Sequence, residues 1–180
     1  PSNMFRVAYN IPLIIRAPNR ISPGLISDRY VSSMDLFSTI LDNLGLIDKA
    51  MDESIPSRSF LRLLDNPKDD WDDFVFFEQE ESRAVRSPDW LYVKRFGRSE
   101  KYSLKNELYD LSSDPDERNN LSGKTDFLEI ENSLSEKIDL YFKTYATSQF
   151  DLWKGGTVKS NSSRPWLWES AWGSDWRPVT

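Results

Sequence analysis

"IPLIIRAP", residues 11–18, is the stretch on which the fold turns. It is a continuous apolar run set among prolines, without the apolar–polar alternation of a strand that keeps one face in water. Such a run suits a strand buried on both faces, as in a parallel sheet covered by helices. A parallel strand needs parallel neighbours, and the chain holds no second run of this kind. The simplest reading places the rest of that sheet upstream, outside this chain. An ordinary core strand of a small sheet fits the pattern equally well.

Outward from this run comes "SPGLISDRYVSSMDLFSTILDNLGL", residues 22–46. Ser22-Pro23-Gly24 reads as a turn. Ser32 or Ser33 can cap a helix whose apolar positions Met34, Phe37, Ile40, Leu41 and Leu44 share one face, and Gly45 ends it. "SRSFLRLLD" (Ser57 to Asp65) predicts a short helix, closed by Asn66-Pro67 and the acidic run Asp69 to Asp73.

From Phe74 the texture changes. "FVFFEQ", "RAVRS", "DWLYVKRF" and "NELYDL" are short apolar or aromatic runs joined by short loops, which predicts a four-stranded antiparallel sheet. After the fourth, "SSDPDE" has Asp114 at an N-cap position, Pro115 at the first helical position and Glu117 three residues past the cap. Asp114 is expected to accept first-turn N–H groups and Glu117 to reach back to the cap. Phe127, Ile130, Leu134, Ile138, Tyr141, Phe142 and Tyr145 then recur at helical spacing. They predict one amphipathic helix of about five turns covering a face of the sheet. Five of the seven tryptophans fall in Ser148 to Thr180, among Gly, Ser, Asn and Pro. That composition reads as an extended wrap anchored by aromatics, because disordered segments are poor in them.

The 180 residues suffice for a sizeable core, and 38% hydrophobic with 29% charged content reads as a soluble globular protein. No apolar run approaches the roughly 20 residues of a membrane span. The net charge of -6 argues against nucleic acid as a partner, since phosphate contacts need clustered Lys and Arg. The chain opens Pro-Ser-Asn, with neither an initiating Met nor a signal sequence in it. With no Cys and no His there is no thiolate nucleophile, zinc–thiolate site or imidazole base. Taken alone, the chain is under-equipped for hydrolysis.

The order of five pieces carries a resemblance: "VAYNIPLIIRAPNRISPG", "SDRYVSSMDLFSTILDNLGL", "PSRSFLRLL", "FFEQEESRAVRSPDWLYVKRF" and "ELYDLSSDPDERNNL". Together they resemble the C-terminal half of the type I sulfatases, of the alkaline-phosphatase-like superfamily. The resemblance implies an α/β fold: the trailing strand and helices of a large α/β domain (residues 1–70), then an α+β subdomain of four antiparallel strands packed on one long helix (71–147). The Trp-rich extension (148–180) follows. It also implies that the formylglycine nucleophile, made within a Cys/Ser-x-Pro-x-Arg motif, lies upstream. The ligands of a calcium ion (Ca2+) would lie upstream with it. "IPSRS" (Ile55 to Ser59) imitates part of that motif, but Ser54 stands at a spacing that does not fit. The expected partners are the upstream catalytic portion of the same protein and a sulfated carbohydrate. A periplasmic or secreted location is implied by the same resemblance.

The one place where this chain is expected to touch substrate is "EQEESR", Glu78 to Arg83, joining the first two strands. In the resembling family this loop lies near the pocket mouth, and Gln79, Glu80, Glu81 and Arg83 could bind sugar hydroxyls or a second anionic group. A solvated hairpin is an equal reading of the same charges. Arg86 and Lys94 are expected as exposed charges on the sheet, and Asp35 as a cap or ion-pair partner at a helix start. The tail tryptophans suit packing more than sugar stacking. The sequons at Asn120 and Asn161 match chance expectation. Two other classes fit the sequence, a non-catalytic carbohydrate-binding module and the rear half of a phosphodiesterase or phosphonate hydrolase.

Overall fold

The computed structural model describes residues 4–50, 52–79, 82–95, 105–147 and 151. Its N-terminal part holds four short helices: α1 (Arg6–Tyr9), α2 (Asp35–Asn43), α3 (Ile47–Ala50) and α4 (Leu61–Asp65). Four strands follow, β1 (Val75–Gln79), β2 (Ser82–Arg86), β3 (Trp90–Arg95) and β4 (Glu107–Asp110), and then α5 (Leu128–Tyr145). All three strand pairs are antiparallel, in the order β1-β2-β3-β4, as the sequence predicts.

The register explains how the sheet is covered. Phe76, Val85, Tyr92 and Leu108 are mutually paired across the four strands and so share one face. Val85, Tyr92 and Leu108 on that face pack against Leu134, Ile138 and Phe142 of α5. Phe76 stacks on Tyr141 with ring centroids 4.0 Å apart. On the opposite face Ala84, Leu91, Val93 and Tyr109 are buried under the N-terminal segment, with Met4 buried and Phe5 and Tyr9 packed against them. The small sheet is therefore buried on both sides, by a helix that follows it and a segment that precedes it by some 70 residues. Phe60, Leu63 and Trp71 form a third cluster beneath Val31, Leu36 and Leu64.

The first correction concerns residues 11–18. They form no strand, and no ladder partner for them exists among the described residues. Ile11 is 70% and Ile14 91% exposed, so the apolar run is not buried by this chain. A core strand of the small sheet is thereby excluded, since that sheet is complete without it.

The helix expected after Ser32 or Ser33 forms as α2 (Asp35–Asn43), but with its apolar side outward. Phe37, Ile40 and Leu44 are 48%, 58% and 61% exposed, whereas Asp35, Ser38 and Thr39 are buried. The inner face is polar because it satisfies the backbone of the next segment. Asp35 Oδ1 accepts the Arg58 N–H and Thr39 Oγ1 accepts the Phe60 N–H. Asp35 also accepts the N–H of Ser32, while Ser32 Oγ accepts the Met34 N–H, so the two side chains together cap the start of the helix, with Ser32 in the role the sequence offers it. Gly45, at φ 67°, ends α2 with the Leu46 N–H bonded to Leu41 O and its own N–H to Asp42 O. That pair of bonds is a Schellman termination.

The capping motif at Asp114 is also corrected. Asp114 accepts N–H bonds, but from Arg118 and Asn119, and no helix follows it. Glu117 adopts φ 58° and turns its carboxylate into the protein. There it receives Arg86 Nη1 on one oxygen and the Arg6 N–H on the other. Two strong donors outcompete the single N–H a capping box offers. Arg86 is accordingly buried and paired, not an exposed sheet charge. Lys94 lies under α5, where its ammonium pairs with Asp139 at 2.6 Å.

Candidate functional site

The candidate site is the end of the β1–β2 hairpin. Gln79 pairs with Ser82 as the last rung, and residues 80 and 81 between them lie outside the described residues. The expectations for Glu80 and Glu81 fall there. The strands below are rigidly held: β2 is buried along its whole length, because it is covered on both faces and paired on both edges.

The described site residues divide by face, as strand alternation requires. Gln79 is exposed, and its Oε1 accepts the Tyr9 hydroxyl at 2.9 Å. Burial pushes the Tyr9 hydroxyl above its ordinary pKa, which keeps it a donor. The Tyr9 ring packs on Phe77 at 4.8 Å, so α1 braces the hairpin from one side.

On the other side Arg83 points inward. Its side chain is 7% exposed, with Nε 2.8 Å from Glu78 Oε1 and Nη2 2.9 Å from Asp151 Oδ1. The guanidinium carbon stands 4.0 Å from the centre of the Phe142 ring. Arg83 thus supports the hairpin from beneath, and its fork is engaged with carboxylates of this chain. Glu78, directly opposite it in register, keeps 39% of its side chain exposed.

The sequence hid several of these partners. Arg83 and Arg86, three residues apart on one strand, serve opposite faces and pair with Asp151 and Glu117. Those separations of 68 and 31 residues leave no local pattern. Tyr9 was equally silent, since nothing in its neighbourhood points to Gln79.

A cleft of about 840 Å³ runs between the residues 4–34 segment and β1, with Tyr9, Ile15, Tyr30, Phe77, Glu78 and Arg86 on its walls. A smaller one of about 550 Å³ lies between α1 and the Pro115–Arg118 turn. Among the described residues no group of three or more Asp, Glu, His or Cys is placed to hold a metal ion. These residues therefore do not fit a calcium site. No helix among them is long and apolar enough to cross a membrane.

Comparison with known proteins gives this geometry a family. Residues 2–143 match the model described as N-sulphoglucosamine sulphohydrolase, C-terminal. Arylsulfatase K of Mus musculus is 27% identical over 197 residues, covering 97% of this chain and 34% of that protein. N-acetylglucosamine-6-O-sulfatase of Bacteroides thetaiotaomicron is 24% identical over 160 residues, covering 82% of this chain and 27% of that protein. The chain thus spans about a third of the length of the curated relatives it matches. The structure of BT4656 in complex with its substrate D-glucosamine-2-N,6-O-disulfate shares the fold at a TM-score of 0.61 and 24% identity, over 73% of this chain and 28% of that one. Phosphonate monoester hydrolase SpPMH from Silicibacter pomeroyi shares it at a TM-score of 0.57 and 19% identity, over 76% of this chain and 29% of that one. The four-stranded sheet with its long helix is the architecture these proteins have in common with it, and the chain belongs to the family of sulfatase C-terminal regions that the N-sulphoglucosamine sulphohydrolase model describes.

Proposed function

We propose that this chain is the C-terminal part of an enzyme that hydrolyses sulfate esters of a sulfated carbohydrate. In this reading residues 1–70 complete the catalytic α/β domain, residues 71–147 form the subdomain beside it, and 148–180 extend from that subdomain. The observation that carries the reading is the apolar surface of residues 7–46. Val7, Ile11, Ile14, Ile26, Ile40 and Leu44 are all more than half exposed. Clustered exposed aliphatics on an otherwise well-packed chain mark a surface that another protein body covers. The occupant proposed is the upstream catalytic portion, whose sheet would accept residues 11–15 as a strand and whose core would receive the outer face of α2. The nucleophile and the calcium ligands are assigned to that portion, and a location outside the cytoplasm goes with the family resemblance.

The β1–β2 hairpin is the part of this chain that would meet the sugar. Gln79, Glu80 and Glu81 supply acceptors and donors for hydroxyls at its tip, while Arg83 acts from below. The relatives named for glucosamine sulfates support a sugar substrate. The test compares Glu80→Ala with the parent in the intact protein, on a sulfated glucosamine and on a small aryl sulfate. A loss of about tenfold in kcat/KM, about 1.4 kcal/mol, is expected on the sugar with little change on the aryl ester. Equal losses on both would make the hairpin a folding element. Turnover of a phosphonate monoester and of neither sulfate would favour the phosphonate hydrolase alternative.

A further inference from the structure

The guanidinium of Arg83 joins three separate parts of the protein. Its Nε meets Glu78 on β1, its Nη2 meets Asp151 beyond the end of α5, and its plane lies near the ring of Phe142 on α5. Asp151 is itself fixed. Its carboxylate is 2% exposed, and its N–H donates to Thr147 O at 2.9 Å, which ties it to the end of α5. A short surface ion pair contributes little, but this one is withdrawn from water at both ends, where an unmatched charge is severely penalised. Separating Arg83 from Asp151 would take a close partner from two side chains that are 7% and 2% exposed, which opposes the opening.

The hairpin end is therefore not free to choose its own angle. Glu78 and Arg83 face each other across the β1–β2 pair, one rung below Gln79 and Ser82. Whatever fixes Arg83 fixes the base from which those residues project. We propose that the Asp151–Arg83 pair is a clamp through which the chain beyond α5 sets the aim of the β1–β2 hairpin, making Asp151 and Arg83 positioning residues for sugar specificity. The specificity half rests on the hairpin being the pocket rim, and the clamp itself does not. Tyr9, bonded to Gln79 from the opposite face, holds the hairpin independently and leaves it folded when the clamp is cut.

The test uses the intact protein with Asp151→Asn, Arg83→Met and the two combined, followed by hydrogen exchange and steady-state kinetics. Each single change is expected to speed amide exchange at Gln79 and Ser82 by about tenfold, through easier local opening. The double variant is expected to go no further than the worse single one, because both remove the same link. KM for a sulfated glucosamine should rise by about tenfold with kcat kept, while a small aryl sulfate is turned over as before. Asp151→Glu, which keeps the charge, should restore most of the loss. If Arg83→Met fails to fold, Asp151→Asn and Asp151→Ala cut the same pair from its other end and carry the test. Unchanged exchange at Gln79 and Ser82, or fully additive singles, would overturn the clamp. Faster exchange with an unchanged sugar KM would overturn the specificity role. A failed rim reading would show separately, as Glu80→Ala without effect on the sugar.

Discussion

Removing the Glu117 carboxylate is the most exacting perturbation of this fold. Its side chain is 2% exposed and that of Arg86 11%, so both charges sit away from water. Breaking such a pair from one side costs about 3–5 kcal/mol, chiefly for the charge left behind. The Arg6 N–H loses its acceptor as well, a cost of about 1–3 kcal/mol that overlaps with the first. Glu117→Ala is therefore expected to destabilise by about 4 kcal/mol. The backbone at φ 58° adds a second, separable effect. A left-handed conformation costs a non-glycine residue about 1–2 kcal/mol. Glu117→Gly removes the same carboxylate but relieves that strain, and should lie about 1 kcal/mol above the alanine variant. Glu117→Gln keeps one acceptor oxygen for one of the two donors and turns its amide NH2 toward the other, so it is expected to lose about 3 kcal/mol, short of the full loss of the alanine variant. Urea midpoints at constant m-value measure all three. An alanine variant within about 0.5 kcal/mol of the parent, or a glycine variant worse than alanine, would refute the reasoning.

Phe37→Ser with Ile40→Ser should change the stability of the 180-residue chain by no more than about 0.5 kcal/mol, since both side chains are about half exposed. In the intact protein the proposed covering by an upstream portion would raise the cost of the same pair to about 1.5–3 kcal/mol for each side chain; parallel urea titrations read the difference. Stability should fall as pH rises from 10 through 12. Tyr92 and Tyr141 are pushed up to about 12 by burial, and Tyr109 is raised further, so the unfolded chain releases these protons first. Thermal melts across that range, with tyrosinate absorbance, check it, and a flat profile would contradict the burial. The purified 180-residue chain should show no turnover of an aryl sulfate with calcium present, and activity above a boiled control would remove the need for an upstream portion.

The strands and α5 were legible because this chain itself covers them. Short apolar and aromatic runs between turns mark the sheet, and the spacing Leu134, Ile138, Phe142 marks the helix face packed on it. Residues 11–18 and α2 were half legible. Their apolar character is written in the sequence, but the described residues leave much of it exposed, so pattern alone could not say which face is inner. For α2 the inner face is Asp35, Ser38 and Thr39, chosen by backbone N–H groups that no side-chain pattern reports. The hairpin as a candidate rim came from the family resemblance, since its charges suit a solvated turn equally well. The direction of Arg83 was not readable, since it is set by Asp151 at a separation of 68 residues. Glu117 misled for a related reason: the S-S-D-P-D-E string matches a helix start locally, and a contact with Arg86 on another strand overrides it.

The plain meander of the sheet, each strand beside its sequence neighbour, has a consequence for the order of assembly. Loops this short close at small entropic cost, so β1 to β4 can zip in sequence and α5 can settle on them as it emerges. The other face stays open until residues 4–9 return to it, and the Arg6–Glu117 bond closes a loop of 111 residues. The joint between the two parts is thus the last to form and the first to open. Substitutions at Val85 or Tyr92 should slow refolding, whereas changes at Glu117 should leave that rate alone and speed unfolding. A chevron series in which Glu117 variants fold slowly would reverse this order.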